Sequence, residues 1–242
     1  MRAAREACTI EAMSPTTTVA EPSSSSPPAT SRSPLAATGI VGAALSIVSA
    51  FAAGSLPSAD ASTDTITAFW TAHRGALLIG AAVSGLSAAA FVVFVSYLAR
   101  WLTTAAPDHG HWATATHVSW VLLFAAFGLT GFPAVAIVWR GAAAVDPSLV
   151  RLAFDLQTLG AYALTACFAA MSVIAPTIVL VRARVAPTWL LVLAAVEVAV
   201  NVVELVCIGA RTGAATAGSL LGIGPLVWAV WVAGLSGWLA RR

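Results

Sequence analysis

The chain has 242 residues, 59% hydrophobic and 9% charged, with a formal net charge of +2, whereas soluble domains carry about 25% charged residues. A mean hydropathy of +0.89 leaves too little polar surface to cover a water-soluble globule, so a soluble enzyme is excluded and bilayer hydrocarbon becomes the solvent of the fold. The small charge and dispersed arginines also argue against nucleic acid as a partner.

Residues 1 to 34 are rich in Ser, Thr, Pro and Ala, carry Arg2, Arg5 and Arg32, and include the run Ser23 to Pro28. This composition predicts a disordered tail. It lacks the short apolar region and cleavage pattern of a secretory leader, and Met13 is an alternative start.

Six apolar segments follow: Leu35 to Leu56, Gly75 to Leu98, Thr114 to Trp139, Thr158 to Val181, Thr188 to Ala210 and Ser219 to Leu239. Each is long enough to cross the hydrocarbon as a helix, and none shows the two-residue alternation of a membrane barrel strand. The expected architecture is an all-α bundle of six transmembrane helices over residues 35 to 242. With both termini in the cytoplasm, Arg100, Arg182, Arg184, Arg241 and Arg242 join the tail arginines inside, and Arg74, Arg140, Arg151 and Arg211 lie outside. Trp101, Trp112, Trp189 and Trp238 then fall at the inner boundary, and Trp70 and Trp139 at the outer one.

In the second segment, Gly80 with Ser84 and Ala81 with Gly85 offer small faces for close helix approach. Pro133, Pro176 and Pro225 sit inside the third, fourth and sixth segments, where each removes a backbone hydrogen bond. Between the second and third segments, His109 and His111 form a His-x-His pair near His117. No fourth ligand accompanies them, and neither metal nor other cofactor is expected. Cys8, Cys167 and Cys207 have no CxxC spacing and read as packing residues. Asp146-Pro147-Ser148 is an N-cap followed by proline in the first turn, so the fourth helix should begin in the outer loop, with Arg151 and Asp155 on one face. Gln157, Thr158 and Tyr162 extend that polarity into the membrane.

The fifth segment carries Glu197, Asn201 and Glu204, spaced four and three apart. At about 100° per residue they fall within about 60° of each other on one helix face. Two ionised carboxylates would cost about 5 to 7 kcal/mol on insertion, against about 4 to 7 returned by the aliphatic residues of the segment. The stripe must therefore face the bundle interior, find donors, or carry protons. Arg211 continues it, and Arg140, Arg151 and Arg74, with His73, are the cations at that end; Asn201 is placed to bridge the two carboxylates.

His73 to Gly80, Asp146 to Arg151 with Asp155-Leu156, and Pro187 to Leu190 resemble patterns in six-helix actinobacterial membrane proteins of the domain-of-unknown-function kind. The resemblance covers roughly the last two thirds of the chain. It implies the bundle and brings no activity or site with it.

No phosphate loop, zinc-protease motif, Gly-x-Ser-x-Gly or paired intramembrane aspartates occurs, so nothing nominates an enzyme. The expected role is structural or regulatory, in a bacterial plasma membrane, through a membrane protein partner or a second copy of the chain. The alternative is a small transporter or channel in which Glu197, Asn201 and Glu204 handle protons or cations.

Overall fold

A computed structural model describes residues 33–52, 54–209 and 223–242, including their side chains except at 159–163 and 207–209. The tail expected to be disordered lies outside the described residues. Among the described residues are eight α-helices and no strand: α1 (Pro34–Phe51), α2 (Thr63–Ala72), α3 (Arg74–Ala105), α4 (Gly110–Arg140), α5 (Pro147–Asp155), α6 (Ala161–Arg182), α7 (Thr188–Gly209) and α8 (Ile223–Leu239). The all-α bundle is as expected. Helices α1, α3, α4, α6 and α7 are long and apolar enough to cross a membrane, which marks a membrane protein, and α8 is an equally apolar helix of 17 residues. At about 1.5 Å per residue α8 is near the short limit for a span.

The long helices pack in chain order, α1 on α3, then α4, α6, α7 and α8, and α8 returns to α1 to close a ring. Small residues make the closure possible. Ala36, Gly39, Gly42 and Ala43 are all buried on α1. A Cβ at Gly39 would meet the Phe94 ring at 2.8 Å, and one at Gly42 would meet Phe91 at 2.7 Å. Hydroxyls then tie the close helices together, as expected where no hydrophobic force draws helices out of lipid. Ser87 donates to the Gly42 carbonyl at 2.8 Å and Ser49 to the Gly80 carbonyl at 2.8 Å, joining α1 to α3. Ser236 of α8 donates to the Ala36 carbonyl and accepts from the Ile40 amide, joining α8 to α1. Gly80 thus works as the spacing suggested, but Ser84 and Gly85 are exposed, and a Cβ on Gly85 would meet nothing.

The half of the ring nearest the start of α1 and the end of α8 is plugged. Phe91, Phe94, Trp120, Phe124 and Trp228 meet with ring centroids 5.0 to 6.0 Å apart. Leu98, Leu102, Leu180, Leu190, Leu235 and Leu239 continue this core. At the opposite end Ile66, Trp70, Val138, Val150 and Phe154 form a second cluster, built by α2, α4 and α5.

That second cluster corrects several expectations. The first segment ends at Phe51 rather than Leu56, and the stretch after it contains α2, capped where the Ser62 hydroxyl accepts from the Thr65 amide at 3.3 Å. Ile66 and Trp70, four apart, share the inner face of α2. Trp70 is therefore 1% exposed and packed toward Phe154 rather than standing at a lipid boundary, whereas Trp139 is 67% exposed. The fourth segment is a longer helical run: α5, a π-helical turn over Leu156–Gly160, then α6. Its start is as expected, with Pro147 in the first turn and Asp146 accepting from the Ser148 amide at 2.8 Å. Pro133 and Pro176 lie inside α4 and α6, but Pro225 stands in the first turn of α8.

Candidate functional site

The polar stripe on α7 faces the bundle. Glu197, Asn201 and Glu204 are 1%, 2% and 4% exposed, whereas Val192, Val196, Val202, Val203 and Val206 of the same helix are exposed. The aliphatic face therefore meets lipid, and the two carboxylates lie on the inner face of a helix that packs against α6 and α8.

Asn201 donates from Nδ2 to the Glu197 backbone carbonyl and to Glu197 Oε1, both at 2.8 Å. This pair lies within one helix. No described hydrogen bond carries Asn201 on to Glu204, so the expected bridge between the carboxylates is made at one end only. Glu204 instead rests on the backbone of Gly224 in α8, where a Cβ would come within 2.5 Å of Oε1. Glycine at that position makes room for the carboxylate. Among the described residues, Glu197 Oε2 and Glu204 Oε1 are buried without a hydrogen-bond partner.

The contacts of Glu204 with Gly224 and of Trp189 with Gly234 set α7 and α8 antiparallel. Glu197 then stands level with Trp228 and Trp231, and the Trp231 indole nitrogen is likewise buried and unpartnered. Helix α8 contains no titratable side chain; α6 contains Tyr162, Cys167 and, at its far end, Arg182. Cys167 is exposed.

The cations proposed for Glu204 have other work. Arg74 donates from Nε to the Val138 carbonyl at 3.1 Å and from Nη2 to the Trp139 carbonyl, both in the last turn of α4, where helix carbonyls run out of intrahelical partners. Arg151 pairs with Asp155 at 2.8 Å, as their shared face implied, and donates to the Ala61 and Ala59 carbonyls at 2.8 and 2.7 Å. It thereby straps the loop before α2 to α5. His73 places Nδ1 3.0 Å from the Phe69 carbonyl and stacks on the Phe69 ring. Arg140 is exposed, and Arg211 lies outside the described residues. These guanidinium groups find backbone carbonyls because helix ends and loops present them at the surface, while the carboxylates are enclosed between helices.

The His109 and His111 rings are 6.2 Å apart, and among the described residues no three His, Cys, Asp or Glu side chains gather as a metal set.

One polar feature was not legible beforehand. Ser172 of α6 accepts from the Trp228 indole at its hydroxyl and from the Trp120 indole at its carbonyl, both at 3.1 Å, and its hydroxyl donates to the Ala169 carbonyl at 2.7 Å. A serine in an apolar helix gives no such signal, since its partners come from two distant helices.

In comparisons with family models, curated proteins and solved structures, nothing matches this chain.

Proposed function

We propose that the chain is a non-enzymatic, multi-pass protein of a bacterial plasma membrane in which Glu197 and Glu204 bind a proton or small cation during transport or gating. Its arginine-rich end, with Arg100, Arg182, Arg184, Arg241 and Arg242, faces the cytoplasm by the positive-inside rule, and the chain crosses six times with α8 as the last span. The observation that carries this reading is Glu197, 1% exposed, with one carboxylate oxygen unpartnered and no described cation bonded to it. Ionisable groups within a membrane bundle mark ion or proton pathways by default. For Glu197 a purely adhesive role is less well supported, because the Asn201 and Glu197 side chains bond to each other inside one helix, whereas Glu204 also touches the Gly224 backbone of α8.

The test is flux into proteoliposomes under an imposed pH gradient, read with an internal pH dye. Wild-type protein should show pH-dependent flux. Glu197→Gln and Glu204→Gln should each reduce it by about tenfold or more, with size-exclusion profile and helical circular dichroism unchanged. Flux unaltered in both variants, or none in the wild type, rejects the reading and leaves a role through a membrane partner or a second copy, to be sought by co-purification in mild detergent.

A further inference from the structure

Helices α1 and α3 run antiparallel, since Gly39 packs on Phe94 and Ser49 reaches the Gly80 carbonyl. Counted back along α1 from Gly39, Ser33 falls level with Arg100, and α3 continues beyond it to Ala105. A groove of about 660 Å3 lies where α1 begins, walled by Ser33 and Leu35 on one side and by α3 on the other. The α3 wall recurs at steps of four, through Val92, Ser96, Arg100 and Thr104, with Tyr97 and Trp101 beside them, as a single helix face requires.

The groove changes character along its length. Leu35, Val92 and Val93 are exposed apolar walls, and Val92 lies near the middle of α3. Arg100 stands exposed further along, beside Tyr97 and Trp101. From Val92 to Arg100 is about 12 Å at 1.5 Å per residue, close to the ~15 Å depth of one leaflet of hydrocarbon. An apolar wall of about leaflet depth thus ends in a cation and an indole, the pair that favours the headgroup level.

The polar groups at this end divide clearly. Arg242 lies 4.5 Å from the Trp238 ring and donates to the Val185 carbonyl at 3.3 Å, and Trp238 in turn meets Trp101 edge-on at 5.6 Å. Ser96 and Thr104 donate their hydroxyls to the Val92 and Arg100 carbonyls at 2.7 and 3.1 Å, so both serve the backbone. Among the described residues, neither the Arg100 guanidinium nor the Tyr97 hydroxyl has a hydrogen-bond or ion-pair partner. The open donors of the groove are therefore a phenol and a planar guanidinium, whose fork matches two oxygens of a phosphate.

We propose that this groove binds an anionic phospholipid, with an acyl chain along Leu35, Val92 and Val93 and the phosphate on Arg100, the Tyr97 hydroxyl donating to a second headgroup oxygen. The apolar wall lies on an exposed face at bilayer depth, where lipid is the solvent, so a lipid rather than a protein is its occupant. Arg100 selects the anionic class because it is exposed and unpaired, whereas a zwitterionic head brings its own cation to the same place; basic sites between membrane helices recognise anionic headgroups in this way. The inference does not depend on whether the α7 carboxylates move protons.

The experiment uses the full chain in phosphatidylcholine nanodiscs, with phosphatidylglycerol or phosphatidylcholine carrying a diazirine in the acyl chain as the minor, photoreactive component, and labelled residues mapped by mass spectrometry. Saturable labelling of Leu35, Val92 and Val93 is expected, about fivefold stronger with phosphatidylglycerol, the order of effect of one basic residue at the membrane surface. Arg100→Gln should bring the two lipids to about equal labelling, with helical circular dichroism and size-exclusion profile unchanged. Arg182→Gln, which removes another exposed charge at the same end, should leave the preference intact. Inorganic phosphate should not compete, because it has no chain to fill the apolar wall; competition by phosphate alone overturns the lipid as ligand. Equal loss of preference in both variants identifies diffuse surface charge and overturns the site. So does equal labelling by the two lipids on the wild-type chain, or labelling spread evenly to exposed residues such as Val121 and Leu129 of α4, results that require no variant to fold.

Discussion

Ser172 holds three helices with one side chain and one carbonyl, accepting Trp228 of α8 and Trp120 of α4 at 3.1 Å each. Ser172→Ala removes the acceptor for Trp228 and the donor to the Ala169 carbonyl, keeps the carbonyl that accepts from Trp120, and leaves a buried indole N–H unsatisfied. The expected cost is about 0.6 to 1.7 kcal/mol, the span measured for hydrogen bonds between membrane helices. Unfolding in mixed micelles, followed by tryptophan fluorescence, checks it. At the polar end of the molecule, the Ser148 hydroxyl and amide beside Asp146 hold its carboxyl below the ordinary aspartate value of 3.8. Because the folded-state value is the lower one, the cap contributes fully above the ordinary value and is lost as pH falls through the lowered one. Hydrogen exchange at the Ser148 amide should therefore accelerate beyond its intrinsic pH trend only below about pH 4, and Asp146→Asn, which keeps the acceptor oxygen, should lose that dependence. The cap was legible because its parts are adjacent in sequence. The serine was not, because its partners are 52 and 56 residues away.

Helix α1 shows how far an element depends on the absence of side chains. Gly39 and Gly42 let the rings of Phe94 and Phe91 lie against its backbone, so Gly42→Leu should destabilise the bundle by about 1 to 3 kcal/mol through overpacking. Gly85→Leu, where the added carbon meets nothing, should leave stability within about 0.5 kcal/mol of wild type. A pair of thermal unfolding curves in the same detergent distinguishes them. Sequence pattern drew attention to glycines of α3 and passed over those of α1, since small residues abound in every segment and only the neighbouring rings reveal which ones touch. Helix α2 escaped notice for a related reason. Its 10 residues are too few for a clear apolar period, and their burial depends on α5, some 75 residues onward. The five long helices needed no such context, because an apolar run of that length has one stable form in hydrocarbon.

As a whole the molecule is a ring of helices with an aromatic core toward the start of α1 and the end of α8, a second apolar cluster of α2, α4 and α5 at the other end, and a half-open cavity of about 320 Å3 between α1, α3 and α4. The carboxylates lie along this axis: Glu204 rests against Gly224 at the start of α8, and Glu197 lies level with the tryptophans of the aromatic core.

Composition and the lengths of the apolar runs settle that the chain is an all-α membrane protein, and the four-and-three spacing of Glu197, Asn201 and Glu204 settles that they share a face. Both are consequences of helical geometry in a solvent that cannot pair backbone groups, and need no knowledge of neighbours. Which way that face turns, which arginines are taken up by helix ends and loops, and where space remains among the helices depend on how six apolar surfaces fit one another. Only the packed ring decides them, because hydrocarbon gives every apolar face the same welcome and leaves close contact and hydrogen bonding between helices to choose.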